Sequence, residues 1–204
     1  MLTKDILITG VGGQGTVLAS KIIAASAMAE GNIVHSAETI GMAQRGGPVT
    51  SHVRIGEECY SPLIPSGKAD IIIGFEPSEV VRNISYLSSD GLAIVNTTAV
   101  KPVTESLSHS GYDGSEMIEY LRKNVRCIFV DGEYECRRLG SAKFLNIILT
   151  GVACGTGELG ISKDTMLEET GRRVPAKFKD ANIRAFLAGF ETGKQIHNIP
   201  PGDL

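Results

Sequence analysis

The chain has 204 residues, enough for one domain with a substantial core, and its 42% hydrophobic and 21% charged content is that of an ordinary globular protein. A formal charge of −3, no tryptophan and 5% aromatic residues leave neither an electrostatic footprint nor a stacking surface for nucleic acid. No apolar run approaches bilayer-spanning length and the amino terminus runs straight into a strand pattern, so a cytoplasmic protein with no membrane or nucleic-acid partner is expected.

Asp5 to Thr9 reads as a short buried strand, and an alanine-rich run from Val17 to Ala29 reads as a helix. Between them Gly10, Gly12 and Gly15 satisfy the G-x-G-x-x-G spacing of a strand–turn–helix crossing. Glycine there admits positive φ and close approach of backbone to a ligand, and the helix start offers unpaired N–H groups to an anion. The same glycines would also serve a close strand-to-helix crossing with no ligand at all.

Asn32 to Ser36 reads as a second parallel strand. A dinucleotide site usually carries an acidic residue at the end of that strand. Here the place falls to His35, Ser36 and Ala37, with Glu38 past the expected strand end, which weakens an NAD reading. The polar, glycine-rich segment Glu38 to Pro48 stands where a simple α/β protein places its second helix. Gln44 and Arg45 in it are candidate functional residues, since Gly46 and Gly47 allow close approach and the arginine fork suits carboxylate or phosphate. Val49 to Ile55 alternates apolar and polar residues, which predicts a half-exposed strand at an edge or added antiparallel.

Asp70 to Phe75 predicts a buried strand, Glu76 onward a helix to about Ser88, and Gly91 to Asn96 a further strand. That strand ends in polar Asn96, Thr97 and Thr98 at the sheet edge where open α/β sheets bind ligands. Ser115 to Asn124 reads as a short helix and Val125 to Val130 as the last clear strand. From Gly140 the pattern is helical: Phe144 to Ala153, a helix started by Ser162, and a last one from Val174-Pro175 with an apolar stripe including Phe178, Phe186 and Phe190. Strand–helix alternation predicts a Rossmann-like α/β fold: a mostly parallel sheet, helices on both faces, and a helical C-terminal part. Residues 1–195 form one domain in this reading, with 196–204 a loose tail. Cys59, Cys127, Cys136 and Cys154 lie far apart with no C-x-x-C pair, which suggests no zinc or iron–sulfur site and fits buried thiols.

Three stretches together resemble a known family. Gly10-Val11-Gly12-Gly13-Gln14-Gly15 follows a strand; Met42-Ala43-Gln44-Arg45-Gly46-Gly47 leads into Ser51-His52-Val53-Arg54-Ile55-Gly56; and the run Ala69 to Glu79 is followed later by a helix containing Asn146. The chain is similar over most of its length to the γ-type catalytic domain of 2-oxoacid:ferredoxin oxidoreductases, and in size to the stand-alone β subunits of the indolepyruvate enzymes. The resemblance implies oxidative decarboxylation of a 2-oxoacid to acyl-coenzyme A, with ferredoxin reduced. Thiamine diphosphate, magnesium and [4Fe–4S] clusters are then expected on a large partner subunit, through which ferredoxin is reached. Within this chain Gly10, Gly12, Gly13, Gln14, Gly15, Thr16, Gly46 and Gly47 are the cofactor-binding candidates, for a coenzyme A phosphate or for shaping the cleft against the partner. Gln44 and Arg45 are the catalytic candidates, by residue type and position. Two alternatives stay open: a free-standing NAD(P)-dependent oxidoreductase and a non-catalytic assembly subunit.

Overall fold

The computed structural model describes residues 3–40, 46–57, 59–100 and 111–197. Its frame is a six-stranded sheet of order β2-β3-β1-β4-β5-β6. The strands are β1 (Lys4–Val11), β2 (Val34–Ile40), β3 (Pro48–Ile55), β4 (Ala69–Gly74), β5 (Leu87–Asn96) and β6 (Cys127–Val130). β1, β4, β5 and β6 run parallel, while β3 is antiparallel to both β1 and β2. The helices are α1 (Thr16–Ala29), α2 (Pro77–Arg82), α3 (Ser115–Asn124), α4 (Gly132–Leu139), α5 (Leu145–Gly155), α6 (Lys163–Arg173) and α7 (Lys179–His197). One sheet face buries Ile6, Ile8, Val53, Ile71 and Ile73 against α1 and the C-terminal helices; the other buries Leu7, Ile72 and Val95 against Val80 of α2 and Leu121 of α3. Strands covered on both faces must be apolar throughout, which is why β1, β4 and β5 read as continuous runs. Among the described residues no helix is long and apolar enough to cross a membrane.

Three expectations are corrected, although the antiparallel direction expected for β3 holds. β3 is antiparallel but interior, bonded on both sides, and its polar residues are covered. His52 Nδ1 accepts the Ile64 N–H at 3.2 Å, and Arg54 donates to Ser61 O and Leu63 O at 3.1 and 3.3 Å. Arg54 also pairs with Asp5 at 2.8 Å, so these side chains strap the following loop over the face that alternation had assigned to solvent. Glu38 belongs to β2, which continues to Ile40. α2 stops at Arg82, where Asn83 donates its side chain to Glu79 O, and a 3-10 turn then feeds β5 from Leu87. The structure adds α4, whose residues are mostly charged and which is started by Asp131, whose carboxylate accepts the Tyr134 N–H. In the C-terminal stripe Phe186 is buried, but Phe178 is half exposed beneath the Lys177 ammonium.

The strap carries a pH signature. Burial first, and then the Arg54 charge, hold the His52 pKa below its ordinary value, with Asp5 opposing. The folded chain keeps His52 neutral while the unfolded chain takes up a proton below about pH 6.5, so stability is lost as pH falls through that value. Urea midpoints at pH 7.5 and pH 5 should therefore differ more for the native chain than for His52→Gln. Equal slopes would show that the strap survives protonation. The comparison is needed because Glu79, whose pKa burial raises, contributes with the opposite sign.

Candidate functional site

β1 leads into α1 on one face of the sheet and its neighbour β4 leads into α2 on the other. The crevice beyond the carboxyl ends of these two strands is thus a topological switch point, the usual ligand site of an open α/β sheet. The glycine loop lies at this point.

Within the loop the donors divide into two sets. Gly12 N–H donates to Gly47 O at 2.8 Å and Gly46 N–H returns to Gly12 O at 3.3 Å, so the segments extend the β1–β3 pairing. The Gln14 side chain folds back, its Oε1 accepting the Val11 N–H at 2.8 Å and its Nε2 donating to Phe75 O at 3.0 Å. Gly10 leaves room for that plug, since a Cβ there would stand 2.7 Å from both Gln14 Oε1 and Phe75 Cβ. By contrast, the N–H groups of Gly13, Gly15, Thr16 and Val17 have no acceptor among the described residues. Gly13 and Gly15 adopt φ of 103° and 87°, which turns the chain so that these donors gather at the start of α1. Gln44 and Arg45 lie outside the described residues.

Residues distant in sequence complete the crevice. Asn96, 1% exposed, donates Nδ2 to Phe75 O at 2.9 Å and to Thr98 O at 3.3 Å, and its Oδ1 accepts the Gly132 N–H at 3.2 Å. Phe75 O therefore takes both Gln14 and Asn96, which ties the ends of β1, β4, β5 and β6 together. The buried carboxylate of Glu76 caps α2 by accepting the Glu79 N–H at 3.1 Å and is held by the hydroxyls of Ser78 and Tyr112. Burial first, then Glu76 itself, pushes the Tyr112 phenol up to about 12. Asn146 of α5 packs on the glycine loop: a Cβ at Gly15 would be 2.6 Å from its Nδ2. Beside the loop a cavity of about 520 Å³ is bordered by Gln14, Asn96, Thr98, Cys136, Arg137 and Leu145, mostly with apolar atoms. That is a size suited to a small-molecule group. Sequence reasoning found the glycines, the polar end of β5 and the helix containing Asn146, but not the contact of Asn146 with Gly15, the place of Tyr112 or the plugging role of Gln14, each of which depends on contacts between distant segments.

The geometry does not reproduce a dinucleotide site. β3 stands between β1 and β2, and Glu38 is level with Ser51 of β3 and Ile8 of β1. Two strand spacings, roughly 9–10 Å, separate it from β1, and it lies short of the carboxyl edge. His35 is at the amino end, level with Arg54 and Asp5. Among the described residues no group of His, Cys, Asp and Glu is arranged to hold a metal ion, and the four cysteines are free.

Residues 5–192 match the family model described as pyruvate ferredoxin/flavodoxin oxidoreductase. The chain is 34% identical over 202 residues to indolepyruvate oxidoreductase subunit IorB of Pyrococcus horikoshii, covering 98% of this chain and 100% of that one. It is 37% identical over 188 residues to the IorB subunit of Archaeoglobus fulgidus, covering 91% and 93%. In fold it is similar to the crystal structure of a keto/oxoacid ferredoxin oxidoreductase γ subunit from Geobacter sulfurreducens, with a TM-score of 0.69 at 23% identity over 94% of this chain and 99% of that one.

Proposed function

Because the chain belongs to the pyruvate ferredoxin/flavodoxin oxidoreductase family, we propose that it is the small subunit of a cytoplasmic indolepyruvate:ferredoxin oxidoreductase. The reaction is oxidative decarboxylation of an aryl 2-oxoacid: with coenzyme A and two oxidised ferredoxins it gives the acyl-coenzyme A, CO2, a proton and two reduced ferredoxins. The observation that carries this reading is end-to-end similarity to IorB subunits at 34–37% identity, on a chain whose glycine loop opens at the switch point of the sheet.

In this reading thiamine diphosphate, magnesium and the iron–sulfur clusters belong to a large partner subunit, which also meets ferredoxin. This chain, as one domain over residues 1–195, contributes the glycine loop and the adjoining cavity to a shared site. Gln44 and Arg45, which precede Gly46 in sequence, remain its candidates for reaching the 2-oxoacid carboxylate.

The test is to purify the chain with the large subunit that co-purifies with it and assay aryl and aliphatic 2-oxoacids with coenzyme A and a low-potential viologen. The assembled complex should reduce the dye with aryl 2-oxoacids preferred, and neither part alone should do so. An isolated chain that binds NAD(P) and adds nothing to the partner's turnover would overturn the reading in favour of a free-standing dehydrogenase.

A further inference from the structure

We infer that the start of α1, completed by the side chain of Asn146, binds a phosphate group, which makes Asn146 a ligand-binding residue of this chain. The inference rests on the function proposed above and names the ligand chemistry of the same site. Two independent observations converge on it. The first is the row of N–H groups of Gly13, Gly15, Thr16 and Val17, which donate to nothing among the described residues.

The second observation is the Asn146 amide. The residue is 7% exposed, yet its Nδ2 has no hydrogen-bond partner among the described residues. Its orientation is fixed, because Oδ1 accepts the Ile147 N–H at 2.9 Å, one of the first-turn donors of α5 that lack a helical partner. Nδ2 therefore faces Gly15, where only glycine leaves it room: a Cβ would lie 2.6 Å away. A buried amide left unpaired is unfavourable unless a ligand satisfies it. Thr16 repeats the pattern, being 3% exposed with a hydroxyl that makes no hydrogen bond among the described residues.

Every group in this cradle can donate, and apart from the Thr16 hydroxyl none can accept. The complementary ligand atom set is acceptor-rich and negative, and the positive end of the α1 dipole favours the same choice. A phosphate meets these demands; an amine or an amide does not. Gly12 and Gln14 take no part, since their donors are already spent. The cavity of about 520 Å³ begins at Gln14 and Leu145, the sequence neighbours of the cradle residues, so a phosphorylated ligand with an extended apolar body finds a place for both parts.

The decisive variant is Asn146→Asp. It keeps the acceptor for Ile147 N–H and adds a carboxylate to the first turn of α5, where it is tolerated, but it turns the donor facing the ligand into a negative acceptor. Calorimetry on the full chain assembled with its partner would use inorganic pyrophosphate, coenzyme A and unphosphorylated pantetheine as probes. Asn146→Asp should weaken coenzyme A and pyrophosphate about tenfold or more, leave pantetheine and the thermal midpoint unchanged, and raise the KM for coenzyme A rather than that for 2-oxoacid. Thr16→Val, which removes only a hydroxyl, should weaken the same two probes several-fold and serves if the first variant misfolds. Weakening of pyrophosphate alone would assign the cradle to a free anion. If the native complex turns over 2-oxoacid while both variants bind every probe as the native chain does, the inference fails and the proposed function stands. If the native complex shows no 2-oxoacid-dependent reduction, the proposed function itself fails.

Discussion

Gly155→Ala and Gly189→Ala should each destabilise the chain by about 2 kcal/mol, against the gain of up to about 1 kcal/mol that alanine brings to an ordinary helix interior. The reason is the crossing of α5 and α7. A Cβ at Gly155 would lie 2.1 Å from Phe190 O, at Gly189 2.1 Å from Ile148 O, at Gly151 2.3 Å from Phe186 O and at Gly193 2.2 Å from Val152 O. In each case the obstacle is backbone, so no side chain can rotate away and the two helices must separate. α5 is buried along nearly its whole length, from Asn146 to Cys154, so separation opens the core beneath it. Two glycines on each helix, spaced by four residues, bring the backbones into the range of Cα–H···O contacts. Gly171→Ala in α6 is the control: its Cβ would meet only the flexible end of Lys179, at 2.8 Å from Cε, so it should be neutral or stabilising. Thermal unfolding should place the two crossing variants roughly 4–8 °C below the native chain. A shift of Gly155→Ala in the same direction as Gly171→Ala would mean that the helices are not held at this distance.

That crossing also shows where sequence reading stops. The pairs Gly151/Gly155 and Gly189/Gly193 carry the same spacing, but nothing in either helix names the other as its partner. The buried strands β1, β4 and β5 were legible because burial on both faces forces continuous apolar runs. The Ser162 start of α6 was legible because capping is local chemistry: Ser162 Oγ does accept the Thr165 N–H. β3 misled for a specific reason: alternation reports which residues are polar, not whether water or another part of the chain meets them. Its polar face meets the Ser61–Ile64 loop through His52 and Arg54. The site divides in the same way. Gly13, Gly15 and Thr16 could be read from a motif and Asn96 from its place at the end of a strand, whereas Asn146 meets Gly15 only when the fold brings α5 to the end of β1.

Asn96→Asp should cost about 3–5 kcal/mol at neutral pH, and the loss should shrink on acidification. Asn96 is 1% exposed, and its Nδ2 donates to the carbonyls of Phe75 and Thr98 at 2.9 and 3.3 Å. An ionised carboxylate would set a negative oxygen against those two carbonyl oxygens, with only the Gly132 N–H, now at 3.2 Å from Oδ1, to stabilise it. A protonated carboxyl restores one donor to Phe75 O, so the folded state strongly prefers the neutral acid. Its folded pKa is raised above the unfolded value near 3.9, and the sign follows: stability is lost as pH rises above that value and regained as pH falls from 7 toward 5. This is opposite to the His52 contribution, so urea midpoints of Asn96→Asp measured against the native chain at each pH separate the two. Activity should follow the same course in the assembled complex, because Phe75 O is shared with Gln14, and loosening it frees the plug behind the glycine loop. A variant within about 1 kcal/mol of native at pH 7.5, with no pH dependence, would mean that the ends of β1, β4, β5 and β6 are held by something other than this pair of amides.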